Sequence, residues 1–130
     1  MIRYQGEDIH FNIKLNILKT NDVNRWFDFS HIFIYFYTHN TYLAKFKCEL
    51  DIDSDGNGVV ISNAYGVNEL DEITDTIIKG TISTRDTKHM CGAMYMDILV
   101  RYRNGNVDAI KRVNTGINIV STPIKTEATE

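Results

Sequence analysis

Asp51, Asp53 and Asp55 stand at alternate positions ahead of Gly56, the order in which the first half of a calcium loop gathers carboxylates around one ion. The glycine permits the sharp turn that converges their oxygens. The second half of such a loop is missing. Its twelfth position, which carries a bidentate glutamate, is Ser62 counted from Asp51 and Ala64 counted from Asp53. The three aspartates are thus incomplete metal candidates, and residues 51–58 read as a solvated connection rich in turn formers. The expectation is no metal and no cofactor.

The other reactive side chains are scattered. His89 and Cys91 flank Met90, and Cys48 is remote, so a zinc or nucleophile site lacks partners at any usual spacing. His10 falls on the polar side of an alternating segment, and His31 and His39 bracket an aromatic run, which are ordinary places for histidine. There is no phosphate-cradling glycine loop, no Gly-x-Ser-x-Gly elbow and no carboxylate pair on a recognisable scaffold. The chain therefore reads as a non-enzyme. A small enzyme would need, at minimum, a pocket holding a perturbed His or Asp.

The aromatic run Ile32-Phe33-Ile34-Tyr35-Phe36-Tyr37 is more informative. In an extended chain Phe33, Tyr35 and Tyr37 share one face, and such rings are enriched at protein interfaces, where the ring packs and the hydroxyl stays wet. They are the candidate partner-binding residues. An inner strand with a loop over its back would use the same residues.

These side chains must be positioned by strands. From Ile9 to Ile17, Ile9, Phe11, Ile13, Leu15 and Ile17 alternate with polar residues. From Tyr42 to Leu50, Tyr42, Ala44, Phe46, Cys48 and Leu50 do the same, and His39-Asn40-Thr41 makes a turn that joins this segment to the aromatic run as a hairpin. Val59 to Ser62 reads as a short edge strand, and Ile77 to Ser83 as a strand whose Gly80 marks a bulge. Residues 67–73 read as a helical turn or an acidic loop. Ile117 to Val120 reads as a last strand.

Asn104-Gly105 sits between two strand-like runs and predicts a two-residue type I′ turn. That register sets Arg101 opposite Asp108, Leu99 opposite Ile110, Asp97 opposite Arg112 and Met96 opposite Val113. Two opposite-charge pairs then share a face. The reading is a single all-β domain over residues 1–122, an antiparallel immunoglobulin-like β-sandwich of seven to eight short strands with little helix. Residues 123–130 form a frayed tail.

Composition agrees with a globular domain: 130 residues, 43% hydrophobic and 24% charged. A net charge of −3 argues against phosphate-backbone binding, so no nucleic acid partner is expected. Two cysteines with no basic or greasy leader at Met1 to Gly6 suggest free thiols in a reducing interior. No apolar run approaches the ~18 residues of a membrane span, and the product reads as soluble and cytosolic in synthesis.

Taken together, the motifs resemble the small β-sandwich at the N-terminus of phage baseplate upper proteins and related receptor-binding or fibre-anchoring virion proteins. Gly6-Glu7-Asp8-Ile9-His10-Phe11-Asn12-Ile13 is similar to that family's Gly-Asp-x-x-x-Phe-x-Ile first strand. Phe27-Asp28-Phe29-Ser30 is similar to its Asp-Leu-Ser lead into the second. Gly80-Thr81-Ile82-Ser83, Asp86-Thr87, Gly92-Ala93-Met94-Tyr95, Tyr102-Arg103-Asn104-Gly105 and Gly116-Ile117-Asn118-Ile119 follow in the family's order. The coiled coil or receptor-binding module that often follows has no match in these residues.

The resemblance implies a virion structural protein. It would be a non-catalytic adaptor, itself an oligomer, docking onto capsid, portal, tail or fibre subunits and anchoring a head or tail fibre or baseplate appendage. The alternative is a carbohydrate-binding module contacting host-surface glycans, with Trp26, Tyr65 and the Asp51 to Asp55 loop as its contacts.

Overall fold

The computed structural model describes residues 1–15, 29–39, 43–52, 58–62, 68, 70–73 and 77–121, with backbone alone for 50–52 and 58–62. Along these run β1 (Ile2–Tyr4), β2 (Ile9–Lys14), β3 (Phe29–Thr38), β4 (Leu43–Ile52), β5 (Gly58–Ser62), β6 (Leu70–Ile73) and β7 (Ile77–Ile82). A single helical turn, α1 (Thr84–Thr87), then precedes β8 (Gly92–Tyr102) and β9 (Val107–Val120). The fold is all-β, in two sheets. One has the order β1-β9-β8-β3-β4-β5 and the other β2-β7-β6.

Period-two alternation explains the layering. On β3, Ile32, Ile34 and Phe36 are buried while His31, Phe33, Tyr35 and Tyr37 are half-buried on the opposite face. Ala44, Phe46 and Cys48 of β4 and Ile98 and Val100 of β8 join the buried side. The three-stranded sheet supplies Ile9, Ile78 and Ile82 from across the gap. Phe11 locks the layers together, its ring centroid 4.7 Å from that of Phe36 and 5.0 Å from that of Phe46. Each fully buried side chain of this size contributes roughly 1.5–3 kcal/mol of transfer free energy.

The start of the chain is stitched to α1. Asp8 Oδ1 accepts the Thr84 N–H at 2.9 Å, which satisfies a donor at the start of the turn that Ser83, its N-cap, leaves unbonded through its own side chain. Thr87 Oγ1 donates to the Glu7 carbonyl at 2.7 Å and Thr84 Oγ1 to that of Gly6 at 2.8 Å. Gly6-Glu7-Asp8 and Asp86-Thr87, remote in sequence, are therefore neighbours.

Several expectations need correction. The strands are nine among the described residues, because β1 and β6 join those expected. β1 runs parallel to the end of β9, pairing Ile2 with Asn118 and Tyr4 with Val120, so the sheet is not wholly antiparallel. Residues 70–73, expected as helical turn or loop, pair with β7 as a strand. Asp51 and Ile52 extend β4, pairing with Val59 and Gly58, which narrows the expected loop. The extra residue near Gly80 lies on β6, between Leu70 and Glu72, rather than on β7. Ile117 to Val120 is the end of the long β9.

The β8–β9 turn differs most. Gly105 N–H donates to the Tyr102 carbonyl at 3.0 Å and Tyr102 N–H to that of Asn106 at 2.8 Å. Gly105 has φ +91°, but Asn104 is not left-handed, whereas a type I′ turn needs both residues there. The loop thus holds three residues, a type I turn closed by a left-handed glycine, and the register slides by one. Arg101 faces Val107 and Val100 faces Asp108. The expected Arg101–Asp108 pair is replaced by Tyr102, whose hydroxyl donates to Asp108 Oδ2 at 2.9 Å.

Candidate functional site

The outer face of the six-stranded sheet carries the chemistry. β3 runs down its middle with His31, Phe33, Tyr35 and Tyr37 outward. Register places Glu49, Lys47, Lys45 and Leu43 of β4 beside them on one flank. Arg101, Leu99, Asp97 and Tyr95 of β8 line the other. All three proposed contact residues, Phe33, Tyr35 and Tyr37, therefore share one face.

Its rings are stacked against each other like books on a shelf. His31 and Phe33 lie 5.7 Å apart at 4°, Phe33 and Tyr35 6.4 Å apart at 9°, and Tyr37 and Tyr95 6.0 Å apart at 26°. Cations complete the stacks. Lys47 Nζ is 5.8 Å and the Arg101 guanidinium 5.5 Å from the Phe33 centroid, and the Arg112 guanidinium is 5.5 Å from that of Tyr95. Each such contact stabilises by about 0.5–1 kcal/mol at an exposed site. With His31 and Tyr35 on either side, the Phe33 ring offers its edge rather than its face.

Arg112 reaches this face through a distortion. Ile98 pairs with Ile110 and Met96 with Val113, so Asp97 faces two residues of β9. This bulge restores the register expected from sequence at Met96–Val113. It also gives Arg112 φ 56°, the only positive value at a non-glycine position among the described residues. A side chain in that region costs about 1–2 kcal/mol. Asp97 holds the bulge: Oδ1 accepts the Arg112 N–H at 2.8 Å and the Tyr37 hydroxyl at 2.9 Å. The expected Asp97–Arg112 charge pair is thus a carboxylate-to-backbone bond.

Electrostatics follow from these contacts. The Tyr37 hydroxyl is held above the ordinary tyrosine pKa, first by partial burial and then by its bond to Asp97. His31 lies below the ordinary histidine value, because burial outweighs the attraction of Glu49, 3.5 Å away. Among the described side chains of this face, Lys45, Lys47, Arg101 and Arg112 outnumber Glu49 and Asp97, a local excess of cations on a chain of net charge −3. Net charge hides that local excess.

At one end of the face lies a depression of about 420 Å³ lined by Tyr37, Thr38, His39, Leu43, Tyr95 and Arg112. Tyr95 and Arg112 were not among the residues singled out from sequence for this site. The even spacing of Tyr95, Asp97 and Leu99 was a signal for Tyr95; the bulge that delivers Arg112 has no local signature.

The remaining candidates stay apart. His10 Nδ1 lies 2.8 Å from Thr81 Oγ1 on the smaller sheet, far from His31. Cys48 is buried and Cys91 exposed, both unpaired, and burial pushes the Cys48 thiol up to about 12. Among the described residues no three His, Cys, Asp or Glu side chains gather as a metal site. Asp51 belongs to β4 by its backbone, while Asp53 and Asp55 lie outside the described residues, as do Trp26, Tyr65 and the tail 123–130. Among the described residues no helix is long and apolar enough to cross a membrane. No protein-family model, curated protein or solved structure matches this chain.

Proposed function

We propose that this chain is a phage virion structural protein, a non-catalytic adaptor that docks by protein contacts through the outer face of Phe33, Tyr35 and Tyr37. The observation that carries the docking is the ring stack itself. The Phe33 ring at its centre is flanked by neighbouring rings and cations, so what the stack offers a partner is a firm surface of ring edges, tyrosine rings and hydroxyls, and positive charge. Tyrosine and arginine in such settings are the usual anchors of protein interfaces. Sugars and nucleobases, by contrast, stack on open ring faces.

The resemblance supplies the setting: a particle, an oligomer of this chain, and capsid, portal, tail or fibre subunits as partners. It also supplies the immunoglobulin-like arrangement of the two sheets. β5, at the edge of the larger sheet, offers a second contact by strand addition. A standard interface needs about 800 Å² per partner, within reach of a face four strands wide.

The test is incorporation. Purified virions from a host carrying the gene should contain the chain in stoichiometric amount, and a Phe33→Ser/Tyr35→Ser variant that still folds, by its β-rich circular dichroism and cooperative melting, should be lost from them. Virions without the wild-type chain would overturn the reading. Glycan-array binding would favour the carbohydrate alternative.

A further inference from the structure

We infer that the depression lined by Tyr37, Leu43, Tyr95 and Arg112 receives an acidic side chain of the docking partner, its carboxylate on Arg112 and its methylenes against the tyrosine rings. This rests on the reading of the outer face as a protein-docking surface and names the chemistry that surface selects.

Backbone strain is the first argument. β9 reaches positive φ twice, at Gly116 (+77°) and at Arg112 (56°). Glycine serves the first, beside the register shift between Ala93 and Tyr95. At the second the chain keeps a long cationic side chain in a conformation that suits glycine. Bulges re-aim side chains, and strained positions gather at binding sites. Here the bulge aims a guanidinium across the Tyr95 ring at the rim of the depression.

Unspent charge is the second. Asp97, the carboxylate bonded to the Arg112 backbone, is engaged through Oδ1 by the Tyr37 hydroxyl and by the Arg112 N–H, and among the described residues no ion pair includes the Arg112 guanidinium. A planar fork beside an aromatic wall suits a carboxylate, which it can bind through two parallel N–H···O bonds. Shape is the third. About 420 Å³ lies in the range of small-ligand sites and admits one or two side chains. The excess of cations on this face attracts an acidic partner as a whole.

The experiment titrates the ¹⁵N-labelled chain with the peptide Ac-Gly-Phe-Glu-Phe-Gly-NH₂, with its Gln counterpart and with the oligonucleotide dT12. The Glu peptide should shift the Arg112 Nε–Hε and Tyr95 signals and bind at least fivefold more tightly than the Gln peptide. Arg112→Gly, which suits the backbone conformation and keeps the fold, should abolish that difference; Arg112→Lys should reduce it. Equal binding of the two peptides, undiminished preference in Arg112→Gly, or no response at millimolar peptide would overturn the inference. So would tighter binding of dT12 at the same signals, which would turn the face into a single-strand platform. Virion incorporation is read separately. Arg112→Gly incorporated normally removes the carboxylate contact alone, whereas a wild-type chain absent from virions removes the docking reading while the peptide result stands.

Discussion

Phe11 on β2 lies directly opposite Gly80 on β7, and its ring occupies the space that any side chain at Gly80 would need. A Cβ there would come within 2.7 Å of Phe11 Cε2. The ring has little room to retreat, because Phe36 and Phe46 hold it from the other side. The glycine thus serves contact between the layers.

Gly80→Ala should destabilise the fold by about 1–3 kcal/mol, the usual cost of overpacking. Chemical denaturation measures it. Combining it with Phe11→Leu should recover part of the loss, since the smaller side chain frees the space; a double variant no better than additive would contradict this account.

Asp97→Ala should cost about 1–2 kcal/mol, because it leaves the Tyr37 hydroxyl and the Arg112 N–H without their acceptor. Amide exchange at Arg112 should quicken. Asp97→Asn removes charge but keeps an acceptor, so it should destabilise less, and tyrosinate absorbance should show Tyr37 titrating closer to its ordinary value. Unchanged exchange in the alanine variant would refute this role.

The two thiols should separate cleanly by reactivity. Cys91 is exposed and should react with a disulfide reagent in the native state, while Cys48 should react only on unfolding, since burial favours its neutral form and pushes it up to about 12. Two native-state equivalents would contradict the packing of β4.

His31 gives a pH dependence whose sign is fixed. Its folded pKa lies below the ordinary 6.5, so the unfolded chain binds the proton more readily. Stability from this site is full above 6.5 and falls as the pH drops through that value, until the folded pKa is passed. A proton NMR titration should place its midpoint below 6.5, and Glu49→Gln should lower it further by removing a favourable negative charge. A midpoint at or above 6.5 would sink the assignment.

Sequence determined what is local. Alternation every second residue put Ile32, Ile34 and Phe36 on one face and Phe33, Tyr35 and Tyr37 on the other, because successive side chains of an extended chain must point opposite ways. The β3–β4 hairpin followed from the same pattern and the short turn between its halves. Tertiary structure decided what depends on distant partners or on single dihedral angles. β1 has only three residues and exists through parallel pairing with β9, more than a hundred residues away. β6 needs β7 beside it. One left-handed residue at Gly105 where two were expected slid the β8–β9 register, and one at Arg112 slid it back. Each is a local backbone choice whose energy differs little between alternatives until packing selects one, and the position of Arg112 on the tyrosine face rests on that selection.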